Sequence, residues 1–148
     1  MAEINIDPSK TRIAKVRNYL FPIIDSLLTD KNYQVNANFL SNEINNYSLD
    51  RIPIQGDPVE NWIISVKIYR EVYELISRKS YGQDVMDNLS NVGFFEALED
   101  MIYSNNKKGI LPEIKGIESI KCLNCGALSI ADTQKSVFAI QIEISYRK

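Results

Sequence analysis

The chain has 148 residues, 45% of them hydrophobic, with 6 Gly and 5 Pro; this is the length and make-up of one globular domain and excludes a linker, a collagen or a disordered tail. Its 17 basic and 19 acidic side chains leave a formal charge of −2, which excludes a basic protein that wraps nucleic acid. The absence of histidine removes the commonest general base, the commonest neutral metal ligand and every nucleophile built on a Ser-His or Cys-His pair.

No basic stretch followed by an apolar one opens the chain, and no apolar run reaches the roughly 18 residues of a membrane span. A soluble, cytoplasmically made protein is expected. Across residues 11–29, Ile13, Val16, Leu20, Ile24, Leu27 and Leu28 recur at spacings of three and four, which predicts an amphipathic helix. Ser9 is its expected N-cap, and Pro22 is expected to kink or divide it near Leu20. Its polar faces carry Lys10, Arg12, Lys15 and Arg17. Beyond the polar turn Thr29-Asp30-Lys31-Asn32, residues 33–40 and 47–54 read as extended pieces around an Asn-rich stretch, and Pro53, Gly56 and Pro58 mark a turn. Residues 59–81 hold neither Gly nor Pro and are rich in β-formers. There Trp62, Ile64, Val66 and Ile68 share one phase of an alternation, while Tyr69, Tyr73 and Leu75 take the other, so a bulge or sharp bend is expected. Tyr69, Val72, Tyr73 and Ile76 also fit helical spacing.

A second helix is expected from an Asp84 cap through Val85, Leu89, Val92, Phe95, Leu98 and Ile102, closing at Lys107-Lys108-Gly109 before Pro112. Between Asp84 and Asp100 lie five acids and no base. Glu96, Glu99 and Asp100 therefore form either an ordinary solvated face or a complement to the basic first helix, within one subunit or between two. The last quarter reads as strands at 117–125 and 136–147. In the second of these, Phe138, Ile140, Ile142, Ile144 and Tyr146 alternate with Ala139, Gln141, Glu143, Ser145 and Arg147. Residues 126–135, with Leu128 and Ile130, read as a projecting β-arm or loop. No internal repeat is visible. The order helix, strands, helix, strands predicts a single α+β domain over 1–148, an antiparallel sheet of about four strands with two main helices packed on it.

Chemistry-bearing patterns are sparse. Cys122-Leu123-Asn124-Cys125 has CxxC spacing, which serves a redox pair or half a zinc site. It falls at the end of an expected strand and not at a helix N-terminus, and zinc would need two further ligands from a second chain. Small buried strand residues are the plainer reading. No glycine pattern cradles a phosphate. Tyr69, Tyr73 and Tyr81 interleave with Lys67, Arg70, Arg78 and Lys79 as in a sheet that stacks single-stranded bases, but Glu71 and Glu74 interrupt the run.

One set of motifs is specific in its order: Ser77-Arg78-Lys79-Ser80-Tyr81-Gly82-Gln83-Asp84-Val85, then Asn88-Leu89 and Gly93-Phe94-Phe95, then Asn106-Lys107-Lys108-Gly109-Ile110-Leu111-Pro112. With Asn46-Tyr47-Ser48-Leu49, Ile52-Pro53 and Ile142-Glu143-Ile144-Ser145-Tyr146, this order resembles the tail terminator and minor capsid (neck) proteins of tailed phages from Gram-positive prophages. The resemblance implies an α+β subunit of a homohexameric ring in the virion. That ring would cap the head-proximal end of the tail tube and contact the tube protein, the head-tail connector and, in a contractile tail, the sheath. It implies no catalytic residue, cofactor, metal, membrane or nucleic-acid sequence recognition. A connector or stopper of the same neck is the near alternative, and a thiol oxidoreductase or metal-binding protein using Cys122 and Cys125 the alternative of another class. A ring of identical subunits joins one patch to a different patch on its neighbour, so Lys10, Arg12, Lys15 and Arg17 against Glu96, Glu99 and Asp100, together with Leu128 and Ile130, are the expected interface residues.

Overall fold

A computed structural model describes residues 5–29, 31–40, 46–54, 59–63, 66–80, 85–124, 127–131 and 135–148. They form two helices, α1 (Arg12–Leu27) and α2 (Val85–Lys107), and seven strands: β1 (Val35–Ala37), β2 (Asn46–Ile52), β3 (Val59–Ile63), β4 (Val66–Ser80), β5 (Ile117–Cys122), β6 (Ala127–Ala131) and β7 (Lys135–Arg147). The α+β class is as expected. The sheet, however, has seven strands among the described residues where about four were expected, and β1 pairs with β2 in parallel.

Two long strands organise the sheet. β4 and β7 pair antiparallel from Ile68 opposite Arg147 to Ser80 opposite Lys135. The other edge of β4 carries β2 along residues 72–78 and β3 along 66–69; the other edge of β7 carries β5 along 142–146 and β6 along 136–139. Each short pair is one interrupted strand, so helix, interrupted strand and long strand follow one another twice along the chain. The projecting β-arm or loop expected at 126–135 is corrected in part: its first half is the strand β6, laid against β7 and not projecting from the sheet. Likewise the run 59–81 is two antiparallel strands, with a register irregularity between Asn61 and Ile63, and the helical spacing at 69–76 is overridden by the sheet. Trp62, Ile64, Val66, Tyr81, Asp84, Cys125, Leu128 and Ile130, as side chains, lie outside the described residues.

The core forms where alternation puts apolar side chains on one face of the central pair. Tyr73 and Leu75 of β4 face the same side as Phe138, Ile140, Ile142, Ile144 and Tyr146 of β7, and all are buried with Val16, Leu20, Ile23 and Ile24 of α1 and Phe94, Phe95, Leu98 and Ile102 of α2. A continuous aromatic line crosses this core, Phe21 to Tyr33, Tyr47, Phe94, Phe95 and Phe138, with successive ring centroids 5.1–6.1 Å apart, a spacing at which ring edges and faces attract. Both outer edges of the sheet are tied to the helices above them. Arg17 of α1 donates from Nε to the Val35 carbonyl at 2.7 Å, and Asn106 of α2 accepts from the Ile120 amide at 3.0 Å. Edge groups that would otherwise template strand addition are thereby occupied.

Helix ends follow local chemistry. Asp7, not Ser9, caps a short 3-10 turn at Pro8–Lys10, and Thr11 then caps α1 by accepting from the Ala14 amide. Pro22 does not divide α1: it and Asn18, whose carbonyl it leaves without an amide partner, are both on the solvent side, where water replaces the missing bond. α2 ends as expected, with Gly109 at φ +75° and the Ile110 amide bonded to the Asn105 carbonyl. Its buried stripe is shifted, though. Leu89 and Val92, expected in the core, are 59% and 41% exposed, because seating Phe94, Phe95, Leu98 and Ile102 on the sheet turns positions 89 and 92 outward. Among the described residues no helix is long and apolar enough to cross a membrane.

Two glycines have opposite predicted responses. Gly116 has φ +78°, and a β-carbon there would overlap the Arg147 carbonyl oxygen, while Gly93 in α2 has open space around it. Gly116→Ala is expected to lower stability by about 2 kcal/mol, and Gly93→Ala to raise it by about 1 kcal/mol. Urea unfolding measures both; midpoints moving the same way would contradict this account.

Candidate functional site

Among the described residues the most densely connected polar group is Glu71, which the β4 alternation places on the core side in phase with Tyr69, Tyr73 and Leu75. Its side chain is 3% exposed. Tyr73 donates its hydroxyl to one carboxylate oxygen at 2.7 Å, and Tyr146 of β7 donates to the other at 2.8 Å. Arg12, in the first turn of α1, donates from Nε to that second oxygen at 2.5 Å and lies over the Tyr146 ring, 5.2 Å from its centroid. Arg51 of β2, directly across from Tyr73, brings a second guanidinium to 3.7 Å.

Burial is the largest single influence on the Glu71 carboxyl and pushes its pKa up. The hydroxyls of Tyr73 and Tyr146 and the charge of Arg12 outweigh it together, and the net effect holds the carboxyl below its ordinary value. The phenols respond in the opposite sense: burial first, then bonding to an anion, pushes Tyr146 up to about 12 and Tyr73 higher still. A carboxylate held ionised by such donors binds protons weakly, so the cluster acts as a clasp joining α1, β2, β4 and β7. On the other face of the sheet, Glu143 of β7 sits between Arg70 of β4 at 3.8 Å and Lys121 of β5 at 3.6 Å.

Beside the clasp an open groove of about 630 Å³ lies between the start of α1, the 113–116 turn and the end of β7. Ile114 contributes apolar surface to it above the buried Tyr146; Lys10, Lys15, Lys115 and Lys148 are basic groups along it, and Glu113 is an acidic one. Arg147, also at the groove, is ion-paired with Glu118.

The expected interface residues separate into three groups. Lys10, Arg12 and Lys15 converge on the groove, but Arg12 is engaged with Glu71. Arg17 is a strut, bonded to Val35 and placed 5.7 Å from the Phe21 ring centroid. Glu96, Glu99 and Asp100 lie on α2 away from its buried stripe, Glu96 and Asp100 exposed and Glu99 half-buried. Cys122 is half-buried opposite Ile142 and packs against the core; among the described residues no three acidic or thiol side chains gather as metal ligands. Tyr69 and Tyr73 face the helices and are in phase with Lys67, whereas Arg70 and Arg78 occupy the opposite phase of β4, so the bases of this run are divided between the two faces. Sequence reasoning missed Glu71, Arg51, Tyr146, Lys115 and Lys148 as members of any site. The signal for Glu71 was present: an acid standing in the core phase between Tyr69 and Tyr73.

Because the folded pKa of Glu71 lies below its unfolded value of about 4.3, its contribution is complete above that value and is lost as pH falls through the lower folded one. Tyr146 works from the alkaline side, its contribution being lost as pH rises from about 10 toward about 12. Glu71→Gln is expected to cost about 2 kcal/mol at pH 7, and the variant and the unmodified chain should converge in stability toward pH 2–3. Denaturant unfolding across pH tests this; a gap of constant size from pH 7 to pH 2 would refute the clasp.

Compared with known proteins, the chain matches no family model and no curated sequence.

Proposed function

We propose that the chain is a structural component of a tailed-phage particle: a tail terminator that assembles as a homohexameric ring on the head-proximal end of the tail tube, ends its polymerisation and joins it to the neck. The ordered motifs from Asn46 to Tyr146 support this reading. So does the disposition of charge, which is the observation that carries it. The most connected ionisable cluster is spent inside the fold on holding α1 to the sheet, whereas a basic groove and an acidic helical face look outward from separate places. Two different, oppositely charged patches are what a head-to-tail contact between identical subunits requires.

In this role the subunit acts by assembly, making and breaking no bond and needing no cofactor. Its partners are further copies of itself, the tube protein on one ring face and the connector on the other. Capping then follows from unequal faces, since tube growth stops where the exposed face offers no site for another tube subunit. The expected outcome of deleting the gene from its phage is tails longer than normal by electron microscopy, with normal length restored when the chain is supplied in trans. Headless tails of normal length would make it a connector or stopper, and intact infectious particles would overturn the reading.

A further inference from the structure

The outward face of α2 carries more than acids. With Phe94, Phe95, Leu98 and Ile102 directed into the core, Leu89, Val92, Glu96, Glu99, Asp100 and Tyr103 fall within an arc of about 100° on the opposite side of the helix. Leu89, Val92 and Tyr103 are 59%, 41% and 63% exposed. Three exposed large apolar side chains flanking a block of acids make a mixed face, different from the solvated face that acids alone would make; Lys107 lies over the Tyr103 ring, 4.7 Å from its centroid. The groove by the clasp has a complementary make-up: apolar surface from Ile114 and the lysine stems, with Lys10, Lys15, Lys115 and Lys148 as its basic groups against the single acid Glu113. No residue of α2 contributes to the groove, so the two surfaces are distinct and one copy presents both.

We propose that the groove receives the outward stripe of α2 from a second copy of this chain, with Glu96, Glu99 and Asp100 set against the lysines and the apolar side chains of the stripe against Ile114 and the lysine stems. The contact joins unlike patches, so a pair of copies keeps one groove, on one of them, and one stripe, on the other, free for further neighbours, and the assembly propagates head to tail. Charge sets the direction and pairing of the subunits, and the apolar contacts supply the affinity. This inference rests on the self-assembly part of the proposed function and goes further by naming the two faces that meet.

The test is a charge exchange read by analytical ultracentrifugation. The unmodified chain should associate at low salt and dissociate as salt is raised. A groove variant, Lys15→Glu with Lys115→Glu, and a stripe variant, Glu96→Lys with Glu99→Lys, should each associate at least tenfold more weakly. An equimolar mixture of the two should recover assembly, because each reversed groove then meets a reversed stripe and each native groove a native stripe. Recovery in the mixture also shows that neither variant is weak through misfolding. A chain that stays monomeric to millimolar concentration, assemblies indifferent to both reversals, or a groove that takes an acidic peptide while the chain remains monomeric would each overturn the inference. Charge-insensitive assemblies together with overlong tails on gene deletion would sink this interface and leave the terminator reading standing. Exchange as described with normal tails on deletion would do the reverse.

Discussion

Taking a carboxylate out of water costs several kcal/mol unless other donors replace the water it loses, and at Glu71 four elements are drawn together to supply them. Tyr73 comes from the same strand, Tyr146 from β7, Arg51 from β2 and Arg12 from α1. The demand is geometric as well as energetic. Slipping β7 by one residue against β4 would carry Tyr146 to the opposite face of the sheet, leaving an anion without a donor and a phenol without an acceptor. An apolar pair in the same place would tolerate the slip far better. The cluster therefore selects the register of the central pair and fixes where the first turn of α1 lands, and everything α1 carries follows from that landing.

One consequence is how the basic residues of the first helix are divided. Read from the sequence, Lys10, Arg12, Lys15 and Arg17 are simply the basic residues on the polar faces of one helix. In the fold the two arginines are inward-working groups, Arg12 on Glu71 and Arg17 on the edge carbonyl of Val35, while the two lysines border the groove with Lys115 and Lys148. The partition suits the chemistry of the side chains. A guanidinium is weakly hydrated and presents fixed donors that suit a half-buried acceptor, whereas an ammonium on a flexible stem keeps its hydration at the surface. A net charge of −2 thus conceals a separation of sign, bases gathered at the start of α1 and the end of β7, acids along the outside of α2.

What could be read from the residues was governed by whether local pattern and tertiary demand agreed. β7 was legible in full, because Phe138, Ile140, Ile142, Ile144 and Tyr146 alternate without exception and every one of them is buried. α2 was legible in extent, since Gly109 and Pro112 stop it where expected, but not in rotation. Its apolar residues run nearly all the way round, and Leu89 and Val92 extend a stripe that packing on the sheet does not use. Pro22 was expected to kink or divide α1, and the helix continues through it: whether an interior proline ends a helix depends on which side loses its bond, which spacing alone does not state. β6 was hidden by its small residues, whose strand character comes from pairing with β7. The clasp lay beyond reach for a different reason: its members are 12, 51, 71, 73 and 146, and only the β4 phase of Glu71 hinted that an acid was facing the core.

The same consideration bears on how an assembly would be built from such a subunit. Among the described residues, Arg17 and Asn106 each occupy an outward backbone group on the edge strands β1 and β5, which counts against strand addition at those two places. The surfaces left are side-chain surfaces, and on these the chain mixes charge with exposed apolar groups. Interspersed acids keep the Leu89, Val92 and Tyr103 stripe compatible with water in a single copy, where a purely apolar stripe would associate without direction. Closed rings place modest requirements on each contact, because once all but one have formed the last is intramolecular and benefits from a high effective concentration. A subunit that must stay dispersed until its site is ready is therefore better served by a contact of moderate strength and definite polarity than by a strongly hydrophobic one.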